Sequence, residues 1–353
     1  MRIRFIPKNT EKNDPIVRLR CDMIIEGLRE KGLDVARWSN GEDADILVIA
    51  SINLSEWVPL VESKRKGQKI VFDLSENEFR RMARIDLPKI KGVARYIYNP
   101  MEVFRRFIAH FRRKSFDSLL ERMVRSSDHI VVSSEDICAS VIPYNPNCTV
   151  IYEPLDKGFP KTPKFHVSGA HSVVWIGMPG NMGFVLQIKN ALNKILESGE
   201  VQLKIITSPS LFDYFPGLRR GKPMAIEFIP WDLKTLWTEL LASDIGIAPL
   251  FHQPWKSPNK VITYWAAGLP VIASPTTTYS RTISHGHDGF LAADSEDWRS
   301  CLMRLINEPD LRNRLGREGY RKATTFFSLE YISRQWLNLF ETLAGRIGSN
   351  DKA

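Results

Sequence analysis

The chain has 353 residues, 43% hydrophobic and 25% charged, a globular make-up too long for one ordinary core. No apolar run approaches the roughly eighteen residues of a spanning helix. Four scattered cysteines without Cys-x-x-Cys spacing argue against a disulfide scaffold or a zinc site and fit a reduced, cytoplasmic setting.

The net charge of +9 is regional. Residues 79–125 carry 13 Lys/Arg against 4 Asp/Glu, which equals the excess of the whole chain. An anionic partner in the N-terminal half is expected.

The N-terminus is too short for a leader, and Arg2 to Ile6 reads as a first strand. Further short β-rich runs follow at 46–50, 69–73, 129–133 and 148–152. Helical patterns lie between them, such as 16–31, which ends at Gly32. This alternation predicts a parallel sheet with helices on both faces. Ligands of such sheets bind beyond the carboxyl ends of strands. Asp73 and Glu76 fall at one such end, where a helix cap and an acceptor contact fit equally. Arg18 and Arg20 open the first long helix, where surface and substrate roles both fit.

Within the basic region, Phe104, Phe107, Ile108 and Phe111 keep i, i+3, i+4, i+7 spacing, with Arg105, Arg106, Arg112 and Arg113 around them. This face suits an anionic membrane surface or a core with a solvated basic back. No nucleic-acid motif accompanies the charge, so nucleic acid is not expected as a partner.

Residues 153–170 hold three prolines and two glycines and little periodicity, as a linker would. From His171 the alternation restarts. Strands are predicted at 172–176, 202–206, 225–229, 244–248 and 270–273, with a last edge at 289–291. Helices are predicted at 184–198, 233–242, 259–267, 298–307, 311–324 and 329–344. The expected division is one α/β domain over 1–156, a linker over 157–170, a second domain over 171–326, and a closing helical stretch over 327–353 that packs back towards the first.

One stretch, Ser257 to Ser274, has both helix ends written into it. Ser257 suits an N-cap and Pro258 the first helical position. Gly268 supplies the left-handed residue that ends a helix, and Pro270 forbids its return. A structural helix accounts for these three residues. It does not account for Lys256 and Lys260 at the positive end of the dipole, whereas a bound phosphate does. Asn259 and Thr263, four apart, share a face of this helix.

Other loops converge at strand ends. Gly177-Met178-Pro179-Gly180-Asn181 lets backbone approach a diphosphate, although Asn181 equally suits a cap. Thr207 heads a loop that fits a pocket wall or a plain turn. Trp231 fits interior packing or a ligand edge.

The 257–274 stretch resembles the donor-binding segment of GT-B glycosyltransferases, above all the retaining family four, whose members read roughly S-x-N-K-x-x-E-Y-x-A-A-G-x-P-V. The resemblance continues through Tyr279 to Leu291 and covers most of the C-terminal half. It implies two Rossmann-like, doubly wound α/β domains with a cleft between them and a closing C-terminal helix. It implies sugar transfer, with retention, from a nucleotide-diphosphate donor to a glycan or lipid-linked glycan acceptor, in cell-surface polysaccharide synthesis. No metal or other cofactor is expected.

By resemblance, the leaving phosphate takes the acceptor proton, while Lys260, Lys256 and the amides near Ser257, Asn259, Gly180 and Asn181 hold its charge. The segment at Trp231 falls near the nucleotide base. A histidine of the first domain often assists, and chain order nominates His110. His285 and His287 fall either near the donor sugar or in a turn. One departure stands out: Thr263 replaces the glutamate that relatives aim at the donor ribose. That leaves a non-catalytic nucleotide-sugar or glycan binding protein as the alternative reading.

Overall fold

The computed structural model describes residues 1–9, 11, 14–39, 41–50, 53–75, 116–163, 165, 172–197, 199–208, 226–251 and 255–345. Glu76, His110 and the amphipathic 104–111 segment lie outside the described residues. The chain divides into two units, Met1–Ile151 with Ser333–Ala353, and Tyr152–Ile332.

The first unit carries a six-stranded parallel sheet of β1 (Arg2–Ile6), β2 (Asp34–Arg37), β3 (Ile46–Ile49), β4 (Lys69–Leu74), β5 (His129–Val132) and β6 (Cys148–Val150). Their order is β2-β1-β3-β4-β5-β6. β3 is buried along its whole length and β4 over its last five residues. Continuous apolar runs of this kind are what a sheet covered on both faces requires. β2 was not among the predicted strands. It is a charged edge strand, Asp34 to Arg37, that fully buries only Val35, so periodicity gives it little signal. From the C-terminal helix, Leu329–Leu343, Trp336 and Phe340 pack on Phe5 of β1, with ring centroids 5.8 and 6.4 Å away.

The second unit has another six-stranded parallel sheet: β7 (Ser172–Ile176), β8 (Gln202–Thr207), β9 (Ile226–Pro230), β10 (Ile245–Ala248), β11 (Val271–Ala273) and β12 (Phe290–Leu291). Its order is β12-β11-β10-β7-β8-β9. The chain thus winds outwards from β7 in one direction and from β10 in the other. The crevice beyond the carboxyl ends of β7 and β10 is a topological switch point, where doubly wound sheets hold their ligands. One apolar core covers each face of the sheet, centred on Trp175 and Trp298 on one side and on Tyr264 and Trp265 on the other.

Segment 157–163, within the expected linker, makes hydrogen bonds to this unit. The Tyr320 hydroxyl lies 2.8 Å from the Lys161 carbonyl oxygen, and the Trp237 indole N–H donates to the Lys157 carbonyl at 3.3 Å. Among the described residues no helix is long and apolar enough to cross a membrane.

Two glycines let the Pro309–Phe326 helix lie directly against its neighbour. A Cβ on Gly316 would sit 2.2 Å from the Gly268 carbonyl oxygen, and one on Gly319 would sit 2.2 Å from the Trp265 indole. Alanine normally favours a helix by about 1 kcal/mol over glycine. Here backbone blocks it, and overpacking of this kind costs about 1–3 kcal/mol. Gly316→Ala should therefore lower the melting temperature. Gly183→Ala, where the added Cβ meets nothing within 4 Å, should leave it unchanged or slightly raised. Thermal melts of both variants check the pair.

Candidate functional site

The switch-point crevice is built by two strand ends and one helix. After β7 the chain passes Gly177 and Met178 into a single turn, Pro179–Asn181, and then a short helix, Met182–Gln187. After β10 it runs to the Asn259–Ala266 helix. The C-terminal end of that helix forms as the sequence predicts. Gly268 takes φ +77°, its N–H reaches the Trp265 carbonyl at 2.8 Å, and the Leu269 N–H reaches Tyr264 at 3.0 Å. These two bonds satisfy carbonyls that the helix end would otherwise orphan.

The N-terminal end differs from expectation. Pro258, not Ser257, holds the cap position, Asn259 is the first helical residue, and no side chain caps this end. The first intrahelical bond runs from the Ile262 N–H to the Pro258 carbonyl at 3.0 Å. The first-turn N–H groups therefore have no partner within the helix.

Tyr264 locks this helix onto the sheet. Its hydroxyl accepts the Ile176 N–H at 2.8 Å and donates to the Ile247 carbonyl at 3.1 Å. One oxygen thus bridges the ends of β7 and β10. Gly246 makes room for the ring, since a Cβ there would fall 2.5 Å from it.

Lys260, in the first turn, lays its ammonium over the Trp175 ring, 4.8 Å from the centroid. Burial, and after it the positive charge of Lys256, pushes Lys260 down to about 7. Among the described residues no carboxylate offsets that burial, so an anion entering here would restore the charged form. Thr263 spends its hydroxyl proton on the Asn259 carbonyl of its own helix, at 2.8 Å. This i−4 bond is the usual resort of a helical threonine. It leaves only the lone pairs of that oxygen for a ligand.

The other candidates fall at the same end of the sheet. Gly177 follows β7, and its N–H donates to the Ile206 carbonyl at 3.1 Å. Gly180 is exposed and Asn181 half-buried. Asn181 holds a helix cap position without making a cap bond. The Thr207 carbonyl accepts the Trp231 N–H at 2.7 Å, which joins the two loops beyond β8 and β9. The Thr207 hydroxyl, on a side chain 1% exposed, has no hydrogen-bond partner among the described residues. Trp231 packs, partly buried, on the core. Ser257 and Lys256 flank the uncapped end, both half-buried.

Three candidates take structural roles instead. The 284–289 loop is a turn, with Gly286 at φ +78° and the His287 N–H on the Ser284 carbonyl at 2.9 Å. His285 Nδ1 accepts the Leu291 N–H at 3.1 Å. In the first unit Asp73 is 2% exposed. Both of its oxygens accept from Arg20 Nε, at 2.9 and 3.0 Å, and Arg20 Nη1 reaches the Ile151 carbonyl at 2.9 Å. Cap and acceptor contact were both open for Asp73; its carboxylate is instead engaged in this pair, because a buried carboxylate needs its cation. Arg20, rather than the half-buried Arg18, is the arginine that holds the end of β4. Its position in a π-helical segment, Ile16–Asp22, carries no sequence signature.

One Asp-x-Asp triplet does occur, Asp43-Ala44-Asp45. It precedes β3; Asp43 pairs with Arg2 and Arg65, each at 2.8 Å, and Asp45 with Arg65 at 3.6 Å. Among the described residues no group of three metal-ligating side chains forms.

Removing the Tyr264 hydroxyl leaves the half-buried Ile176 N–H and the buried Ile247 carbonyl without it, at a cost of about 1–3 kcal/mol. Tyr264→Phe should lower stability by that amount in a denaturant titration and leave the sheet intact by far-UV circular dichroism.

Residues 170–308 match the family described as glycosyl transferases group 1. Spore coat protein SA of Bacillus subtilis is 28% identical over 122 residues, 33% of this chain and 31% of its own. The lipopolysaccharide core biosynthesis glycosyltransferase LpsD of Rhizobium meliloti is 29% identical over 118 residues, 33% of this chain and 34% of its own. The chain matches about a third of the length of these relatives. Among solved structures, Anabaena HepE in complex with UDP and glucose superposes with a TM-score of 0.68 at 13% identity, over 97% of this chain and 100% of that one. TarM gives 0.61 at 14% identity, over 84% of this chain and 54% of that one. Likeness at such low identity speaks for the fold alone. Two parallel doubly wound sheets, an uncapped helix at the second switch point and the match over 170–308 together make this a GT-B fold chain that resembles the glycosyl transferases group 1 through its second unit.

Proposed function

We propose that the protein is a glycosyltransferase that moves a sugar from a nucleotide-diphosphate donor to a glycan or lipid-linked glycan acceptor, with retention, in cell-surface polysaccharide synthesis. The observation that carries this reading is Lys260, a half-buried cation with no carboxylate partner among the described residues, at an uncapped helix end beside the Gly177 loop. Backbone N–H groups and a lysine at a switch point suit a pyrophosphate.

In the reaction the bond from the anomeric carbon to the β-phosphate oxygen breaks, and a bond to the acceptor hydroxyl oxygen forms. The acceptor proton goes to the departing phosphate. The protein's task is to hold the charge growing on that phosphate, which fixed donors do without reorganising. Lys260, Lys256 and the amides of Asn259 and Gly180 are the groups assigned to it. Thr207 and Trp231 line the side given to the base, and no metal is assigned. UDP is the first base to try, since HepE was solved with UDP and glucose. The relative named for lipopolysaccharide core biosynthesis supports a surface-glycan acceptor.

The basic excess of residues 79–125 supports docking on the cytoplasmic face of an anionic membrane. Flotation with anionic vesicles should carry the protein, and neutral vesicles should not. Thr263, one hydroxyl oxygen where relatives carry a carboxylate, favours a second reading, a non-catalytic nucleotide-sugar or glycan binding protein.

Transfer and hydrolysis assays over UDP-, GDP- and dTDP-sugars separate the two readings. The enzyme reading expects turnover with at least one donor. Lys260→Ala should then lose about 10²–10³-fold in kcat, the usual loss when one charge-stabilising group is removed. Nucleotide binding without turnover would leave the binding protein, and wild-type turnover in Lys260→Ala would overturn the assignment of the lysine.

A further inference from the structure

Trp175 has no part in the reading above, yet it touches both halves of the crevice. It lies on β7, two residues before Gly177, and is 0% exposed. Its six-membered ring lies so close under Gly177 that a Cβ there would come within 2.3 Å of it. The same indole carries the Lys260 ammonium, 4.8 Å from the ring centroid. Its N–H has no hydrogen-bond partner among the described residues. The ring is thus the floor on which the first turn of one helix and the Gly-rich loop of another element meet.

We propose that Trp175 is a positioning residue: its ring face seats the Lys260 ammonium at the Gly177 loop before any phosphate arrives. This rests on the nucleotide-diphosphate reading of the site and adds to it what places the cation. Three observations argue for a seat rather than a chance contact. The sequence from Gly177 to Gly183 contains no charged residue, so the lysine has no carboxylate there to hold it. An aromatic face attracts a cation by its quadrupole, and more strongly once water is excluded. The glycine at 177 leaves the ring room that any side chain would take. A lysine seated in advance loses less freedom when it meets its anion, which is how preorganisation raises affinity.

The seat has a measurable signature in pH. Lys260 sits near 7 in the free protein because it is buried and because Lys256 adds like charge from the loop ahead of the helix. The facing loop adds no titrating group, only Met178, Pro179 and Asn181. A diphosphate prefers the charged lysine. Affinity is therefore full below about 7 and falls as pH rises above it, by up to about tenfold per unit until the pKa of the bound state is reached. The phosphate itself contributes little there, because its second ionisation lies near 6.

The test is calorimetric titration of the full chain with UDP, GDP and dTDP between pH 6.5 and 9, on wild type, Trp175→Phe and Trp175→Leu. Wild type should weaken with rising pH as above. Trp175→Phe keeps a ring face and should keep that profile. Trp175→Leu should bind at least tenfold more weakly at pH 6.5, with its fall moved to lower pH because the ring face that favours the charged lysine is gone. Wild-type affinity and profile in Trp175→Leu would overturn the proposal, as would equal losses in both variants with an unmoved profile. If none of the three nucleotides binds wild type at any pH, the donor reading fails and takes the proposal with it.

A second measurement does not depend on the leucine variant folding. In ligand-free wild type, NMR of the Lys260 ε-methylene, assigned through Lys260→Arg, should show an upfield ring-current shift that UDP reduces. A random-coil shift in the free protein would overturn the seat directly.

Discussion

Everything at the second switch point depends on the Tyr264 hydroxyl. It takes the N–H of Ile176 and gives its proton to the carbonyl of Ile247, so a single oxygen closes the gap between the two strands from which the chain winds apart. In a doubly wound sheet that gap is where the backbone has least company, because the connections lead away on both sides. A bond made there by the helix that also carries Lys260 fixes the distance between the Gly177 loop and the lysine. Gly246 is the concession that allows it. Placing the tyrosine ring against β10 requires a residue without a side chain at that point.

The sequence tells most where a feature is local. Gly268 and Pro270 announced the end of the Asn259–Ala266 helix, and the structure puts Gly268 in the left-handed region with both closing bonds made. The apolar runs of β7 and β10 were legible because strands buried on both faces leave few polar gaps. The same helix starts at Asn259 as predicted, but its cap was off by one residue. Ser257 and Pro258 compete for the cap, and propensity does not decide between neighbours.

What was illegible is what depends on distant partners. Arg20 and Asp73 are 53 residues apart, and nothing near either of them says that they meet. Sequence placed Asp73 at a strand end, which is right, and offered it to a ligand, which a carboxylate already held by a buried guanidinium is not free to meet. Trp175 shows the same limit from the other side. In the sequence it is one apolar residue of a strand. Only the fold brings Lys260, 85 positions later by number, across its face. Thr263 could be seen as a departure from its relatives, but the bond its hydroxyl makes to Asn259 needed coordinates.

The rear of the second unit has a bearing on how its front can behave. Gly316 and Gly319 let the Pro309–Phe326 helix press its backbone against Gly268 and Trp265. The Trp265 indole N–H is tied to the Asp288 carbonyl at 2.8 Å, and Lys322 to the Asp288 carboxylate at 2.8 Å. The helix that presents Lys260 therefore has an anvil behind it. It has no slack to recoil when a ligand pushes on its tip, so accommodation falls to the lysine side chain and to the loops in front. Such a site adapts to cargo of different size by swapping its rim while its backstop stays untouched.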